Sequence, residues 1–354
     1  MEKPFLLNLT STEENLLDNL KDIDYRRNRV RILGSSSLDI FNTTKRLLIF
    51  TRIDDPEIDY LGKLLLENHI DYLRVNSENI FDDFECTIEV DDDITGKVGC
   101  GGTYWNINSI DAIWFRHFSL DTIPRFKRNI ENMYVREQWE TLFTLINSLG
   151  IKMISRFDEE KIFAKPLQIN VASKVGLKVP RTVISNRKKD IEDSFANDII
   201  FAKILKHHNI EYEPNKLRHV YGRNIKATDF SKKSYLLAPT IFQDSIRNKK
   251  EIRITFFGNY ISATEYINVE QDDWHDQGIY GFSMKNFDIP DVLLKKVRNF
   301  INKSKLYVGT IDLLIVGEEC YFLEVNTNGD WRWIEVQTEQ NISENCIRFL
   351  KEVI

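Results

Sequence analysis

Gly309-Thr-Ile-Asp-Leu-Leu-Ile-Val-Gly-Glu-Glu-Cys-Tyr-Phe-Leu-Glu-Val-Asn-Thr-Asn-Gly-Asp-Trp331 holds two short apolar runs, Ile311 to Val316 and Cys320 to Val325, divided by Gly317, Glu318 and Glu319. Runs of that length around a glycine are the signature of a β-hairpin. Each carries a hard oxygen donor where a buried strand has no use for one: Asp312 in the first, Glu324 and Asn326 at the end of the second. Glu324 and Asn326 are two positions apart, so the pleat puts them on one face, and a tight hairpin is expected to bring Asp312 across to it. Two carboxylates and an amide suit Mg2+, which takes few protein oxygens and completes its shell with water and phosphate. The plainer reading is a half-buried hairpin whose acids face solvent. The residues upstream decide between the two.

The chain has 354 residues, enough for two or three domains with real cores. Hydrophobic residues make up 42% and aromatic residues 12%, which is the composition of a globular protein. No apolar run approaches the length of a membrane span, and the first residues lack a signal-peptide layout. The net charge is −6 and the basic residues are scattered rather than striped, which argues against a nucleic-acid partner. Cys86, Cys100, Cys320 and Cys346 follow no zinc spacing and read as reduced structural thiols. With the Lys-, Asn- and Ile-rich composition, the expected location is the cytoplasm of a bacterium.

Residues 1–45 stand apart as an extension without chemistry of their own. From Lys45 the pattern turns α/β. Arg46 to Phe50 and Ile70 to Val75 read as strands around a helix over Asp55 to Asn68, whose apolar positions are Ile58, Leu61, Leu64 and Leu65. Gly96, Gly99, Gly101 and Gly102 mark a turn region, and Ala112 to Phe115 is the next strand. A helix from about Asn129 to Ser148 is expected to pack one face through Ile130, Met133, Trp139, Leu142, Phe143 and Ile146. Neither G-x-x-x-x-G-K-[ST] nor G-x-G-x-x-G occurs, so this first domain is a support or substrate domain rather than the nucleotide site. Arg116 and His117, at the end of the Ala112 to Phe115 strand, face the usual ligand crevice of an α/β sheet. After Ile151 to Ile154 come a helix over Lys161 to Lys174 and a strand-rich region, broken by a polar, basic segment at 206–233 that reads as a flap or lid.

Lys203 lies inside the apolar strand Ile199 to Leu205, where a cation needs an anionic partner. Lys165 opens a helical turn just before Pro166 and is placed to reach the same phosphates. Either lysine alone is as well explained by structure. Phe242-Gln-Asp-Ser-Ile246 has the character of a hinge, and the backbone around Gln243, Asp244 and Ile246 is a candidate for an adenine edge. In Glu251-Ile-Arg-Ile-Thr255, Glu251 is a candidate for ribose hydroxyls and Arg253 for a transferring phosphoryl group; a surface ion pair is the alternative.

The order Lys165, Lys203, hinge, Glu251-x-Arg253, Asp312, Glu324-x-Asn326 resembles the ATP-grasp superfamily over residues 155–350. Trp114-Phe-Arg116, Ala164-Lys-Pro-Leu-Gln168, Gly176 to Thr182, Phe242-Gln-Asp, Glu251-Ile-Arg253, Asp273-Trp274, Ile311-Asp312 and Phe322 to Gly329 look most like the graspetide (microviridin-type) peptide ligases. Thr327 stands where that motif often has Pro. The resemblance implies a pre-ATP-grasp α/β domain at 46–154, a central subdomain at 155–238 with flap 206–233, and a C-terminal subdomain at 239–354 of α+β character. It implies ATP bound by Lys165, Lys203, Gln243, Asp244, Ile246 and Glu251, Mg2+ bound by Asp312, Glu324 and Asn326, and catalysis by Lys203 and Arg253. The implied activity is phosphorylation of an Asp or Glu side chain of a ribosomal precursor peptide, followed by attack of a Ser, Thr or Lys side chain to close an ester or amide ring. A docking leader segment of the precursor and a homodimer are implied as well. Two other readings stay open: an ATP-grasp ligase for small acids and amines, and a non-catalytic partner that kept the fold.

Overall fold

The computed structural model describes residues 45–121, 123–124, 126–196, 198–206, 209–213, 216–220, 222–228, 237–247, 249–269 and 281–354. The extension at 1–44, parts of the expected flap, and Asp273-Trp274 lie outside the described residues.

The first layer is a parallel sheet. Strand β1 (Lys45–Thr51) leads into helix α1 (Pro56–Glu67) and strand β2 (Ile70–Asn76). Three antiparallel strands follow, β3 (Phe84–Val90), β4 (Ile94–Cys100) and β5 (Thr103–Asn106), before β6 (Ala112–Phe115), helix α2 (Asn129–Ser148) and β7 (Lys152–Ser155). The sheet order is β2-β1-β6-β7, with every pair parallel. Leu47, Leu48, Ile49 and Phe50 are all buried, because a parallel sheet is covered on both faces. The Asp55 side chain caps α1 by accepting from the Ile58 N–H at 3.3 Å, with Pro56 in the first turn, and Ile58, Leu61 and Leu65 face the core. Gly96 and Gly99 are inside β4, and only Gly101-Gly102 form a turn. The packed face of α2 is shorter than its periodicity predicts. Phe143 and Ile146 are buried and Trp139 and Leu142 pack beside them, but Ile130 and Met133 are exposed because no element among the described residues covers the first turns.

Helix α3 (Lys165–Lys174) opens the second half; residues 163–164 interrupt the longer helix expected there. The second sheet has the order β12-β9-β13-β8 and is antiparallel: β8 (Thr182–Ser185), β9 (Ile199–Lys203), β12 (Arg223–Lys226) and β13 (Thr240–Asp244). Helix α4 (Lys188–Phe195) lays Ile191 and Phe195 against Ile200 and Phe242. Within the segment expected to be a flap, β10 (Asn209–Glu213) and β11 (Lys216–His219) form their own hairpin. Arg223–Lys226, by contrast, pairs with β9 and belongs to the sheet.

The third sheet, β16-β15-β14-β17-β18, is antiparallel: β14 (Lys250–Phe257), β15 (Tyr260–Ile267), β16 (Ser283–Asn286), β17 (Val308–Val316) and β18 (Glu319–Asn326). One face packs Ile252, Ile254, Phe256, Ile311, Leu313, Phe322 and Val325 against α3 and helix α5 (Asp291–Ser304). Helices α6 (Arg332–Thr338) and α7 (Ile342–Val353) follow. Ile342, Cys346, Ile347 and Leu350 of α7 share a core with Leu47, Ile58, Leu61 and Trp114 of the first layer. The end of the chain thus closes onto its beginning. No helix among the described residues is long and apolar enough to cross a membrane.

Candidate active site

The opening stretch is the β17–β18 hairpin, with Gly317 at φ +59° in a two-residue turn between the paired Val316 and Glu319. A regular ladder from that turn would continue the pairing of Leu313 with Phe322 and place Asp312 opposite Leu323. Glu324 would then point to the wrong face. The ladder is not regular: the register shifts between Asp312 and Leu313, so that Asp312 pairs with Glu324 and Thr310 with Asn326. Leu323 is the extra residue of a β-bulge. The cause is packing. Phe322 and Val325 are three positions apart, and both are buried in the core beneath the sheet. Period-2 alternation forbids that without one inserted residue. The bulge that satisfies the core is therefore what sets Asp312, Glu324 and Asn326 on one polar face.

Three cations converge on these acids. Lys165 and Lys203 each place Nζ 3.2 Å from the same Glu324 oxygen. Lys203 Nζ also lies 3.5 Å from the Leu323 carbonyl oxygen at the bulge. Lys165 comes from the first turn of α3 and Lys203 from the last position of β9, so Glu324 joins two sheets and a helix. Burial pushes the Lys203 ammonium below its usual range, partly countered by the Glu324 charge and reinforced by neighbouring Lys165. Arg253 pairs across strands with Asp312, Nη1 to Oδ1 at 3.4 Å, and donates through Nη2 to Thr310 Oγ1 at 3.0 Å. Burial opposes its charge, but Asp312, Tyr266 and Asp330 together outweigh it and raise the Arg253 pKa. Three cations surround two carboxylates in a largely desolvated cleft, an arrangement that favours a polyanionic ligand.

The donor set fits a small hard cation: Asp312 and Glu324 are cross-strand partners, and Asn326 follows on the same face. Glu251 is on that face too, with Lys249 2.8 Å from its carboxylate. Gln243 and Asp244 are engaged elsewhere. Gln243 belongs to the central strand β13 and donates from Nε2 to Thr182 Oγ1 at 2.9 Å; the Asp244 carboxylate takes Arg181 at 2.9 Å, and its N–H goes to the Arg181 carbonyl. Ile246 is beyond the ladder, in the link from β13 to β14.

Several contributors escape sequence reasoning. Thr310 orients Arg253, although its position two before Asp312 puts it on the same face. Gln168 accepts the Val325 N–H at 3.0 Å and covers the edge of β18. Beyond Asn326 the chain crosses to the first sheet, and Gly329 lies so close to Thr310 that a Cβ there would collide with it. Arg116 receives this loop: it pairs with Asp55 at 3.1 Å, Glu57 at 3.0 Å and Asp330 at 2.9 Å, and its guanidinium stacks 4.4 Å over the Trp331 ring. Glu57 also accepts the N–H groups of Trp331 and Arg332, each at 3.0 Å.

No protein-family model matches the chain, and neither does any curated protein sequence. Solved structures do. A RiPP-associated ATP-grasp ligase from Chryseobacterium gregarium, in complex with ADP and a leader and core peptide, has a TM-score of 0.74 at 21% identity, over 87% of this chain and 97% of that one. The fold is the ATP-grasp fold. Macrocyclase MdnC from Microcystis aeruginosa, bound with precursor peptide MdnA, gives 0.74 at 20% identity over 87% and 99%. ATP-grasp ligase PsnB, complexed with minimal precursor, Mg and ADP, gives 0.64 at 13% identity over 87% and 98%. The ATP-grasp architecture is thus an α/β layer followed by mixed α+β layers, as the resemblance implies. The acid–cation cleft lies where β9, α3 and the β17–β18 hairpin of that architecture meet.

Proposed function

We propose that this chain is an ATP- and Mg2+-dependent ligase that phosphorylates an Asp or Glu side chain of a ribosomal precursor peptide and couples the acyl phosphate to a Ser or Thr hydroxyl or a Lys amine, closing ester or amide rings. The observation that carries this reading is the convergence of Lys165, Lys203 and Arg253 on the paired Asp312 and Glu324. A carboxylate is a poor acyl donor because oxide leaves badly; as an acyl phosphate it has a good leaving group. Mg2+ held by Asp312, Glu324 and Asn326 supplies charge neutralisation for the phosphates. Lys165 and Lys203 hold the polyphosphate, and Arg253, aimed by Thr310, steadies the transferring phosphoryl group. Glu251 is assigned to the ribose and the 243–246 link to the adenine. Residues 46–154, 155–238 and 239–354 form the three parts of the enzyme in this reading, and the hairpin within 206–233 is assigned to covering the site.

A peptide is favoured over a small acid because the solved structures with this fold named above are peptide complexes. The leader segment of such a precursor is part of the same proposal. The free cysteines among the described residues fit a reducing cytoplasm. The exposed Ile130, Met133 and Tyr134 on α2 support a homodimer, which light scattering tests.

The test is ADP release from ATP and Mg2+ with and without a candidate acidic, hydroxyl-rich precursor peptide. Release that requires the peptide, with loss of whole multiples of one water from its mass, bears the reading out. Release with small acids and amines but not peptides transfers the activity to small substrates. No turnover and no ATP binding leaves a non-catalytic protein of this fold.

A further inference from the structure

Ring closure needs a group that removes a proton from the attacking hydroxyl, and among the described residues the cleft has none to spare. Lys203 is buried against Glu324, Asp312 and Glu324 are committed to cations, and Arg253 stays charged. Beside the cleft, however, is an imidazole. His117 follows β6 at the C-terminal end of the parallel sheet, the end at which such sheets bind ligands. Its Nε2 is 2.7 Å from Asp330 Oδ1. Asp330 is held in turn by Arg116 Nη2 at 2.9 Å, and Arg116 Nη1 faces the Gly329 carbonyl at 3.4 Å. Gly329 abuts Thr310, the residue that orients Arg253. The charge of Asp330 is felt at Arg253. The dyad is thus one residue along the chain from the wall of the phosphoryl site.

His117 also differs from Arg116 in access. The Arg116 side chain is 1% exposed, whereas His117 keeps 18%. The only other imidazole whose side chain is described, His69, is in the turn between α1 and β2. Asp330, anchored by Arg116, selects the tautomer that donates from Nε2, which leaves the lone pair of Nδ1 for a substrate proton.

We propose that His117 is the general base of the ring-closing step, with Asp330 as its positioning residue; this rests on the ligase reading above. As the peptide hydroxyl oxygen attacks the acyl carbon of the acyl phosphate, its proton passes to Nδ1. The bond between the acyl carbon and the bridging phosphate oxygen then breaks, and its electron pair leaves on that oxygen as inorganic phosphate. The imidazolium returns the proton to phosphate or solvent. The charged groups facing the pair are Arg116, Asp55, Glu57, Arg52 and Arg253.

The experiment compares wild type, His117→Gln and Asp330→Asn with ATP, Mg2+ and a candidate acidic, hydroxyl-rich precursor peptide, with and without hydroxylamine. Hydroxylamine traps acyl phosphate as hydroxamate and is nucleophilic enough to need no base. The expected result for His117→Gln is hydroxamate close to wild type, ring closure slower by about 10²-fold or more, and loss of the pH limb that reports deprotonation of the base. Asp330→Asn is expected to slow ring closure by about 10-fold or more with the same hydroxamate yield. Ring closure unchanged in His117→Gln overturns the proposal, and so does a parallel fall of hydroxamate and ring closure in both variants. A wild type that gives neither ADP nor hydroxamate overturns the ligase reading itself, and the base with it. Thermal unfolding of both variants controls for folding.

Discussion

The two charged centres of this protein are built in opposite proportions. In the cleft, Lys165, Lys203 and Arg253 face Asp312 and Glu324, so cations are in excess. At the junction with the first sheet, a single Arg116 faces Asp55, Glu57 and Asp330, with His117 beside them. Both are largely buried, yet their consequences differ. Around Arg116 the junction is closed: every acid finds the guanidinium or a backbone N–H, and an aromatic ring covers it, while His117 at its rim keeps some exposure. Its role is to fasten the loop after Asn326 to the first layer. The cleft, with its cation excess and its depressed lysine, is unfavourable by itself and gains by taking up an anion.

The largest effect is expected at the junction. Arg116→Met leaves buried carboxylates without their partner and should cost about 3–5 kcal/mol, measured by urea unfolding. A loss below about 1 kcal/mol would mean the junction holds nothing together. In the cleft the order reverses. Glu324→Gln and Lys203→Met should each lower peptide-dependent ADP release by about 10²–10³-fold. Lys203→Met should leave the melting temperature unchanged or higher, because it removes a buried cation that the fold disfavours. A variant that loses both activity and stability would erase the contrast between the two centres.

Acid sharpens the comparison further. At the junction, burial works to raise the Asp55 pKa, but Arg116, His117 and the Thr51 hydroxyl together lower it from 3.8 to about 2. A lowered carboxylate stabilises the fold above its ordinary value, and that stability is lost as pH falls through the folded value. Asp330 moves in the same direction, with the charges of His117 and Arg116 outweighing burial. Glu57, raised by burial, works the other way. Asp55 should therefore account for about 2 kcal/mol lost between about pH 4 and pH 2, a slope that Asp55→Asn flattens. The smallest effect is expected at the half-exposed Arg181–Asp244 pair, where Arg181→Ala should change stability by less than about 1 kcal/mol.

The elements of both centres were legible to different degrees. Lys203 and Asp312 announce themselves as charges in apolar runs, and Lys165 by its place before Pro166. Arg116 and His117 were visible at a strand end, but their carboxylate partners come from 61 and 213 positions away. Asp330 was inside the opening stretch, yet nothing in its neighbours tells that Arg116 will reach it. Ile130 and Met133 mark the opposite failure: their spacing is that of a buried face, and only the missing neighbour leaves them exposed.

The sequence alone determined the hairpin, its turn at Gly317, the oxygen donors it carries and the alternation of strands and helices around it. Those follow from periodicity, glycine conformation and side-chain chemistry, which are local. It did not determine that Asp312 and Glu324 share a face. Counted from the turn, strict alternation separates them, and the bulge at Leu323 brings them together. That bulge exists because Phe322 and Val325 must both enter the core that α3 and α5 close over the sheet. Burial of two side chains thus outweighed one regular step of the ladder, and the polar face shared by Asp312, Glu324 and Asn326 is its consequence.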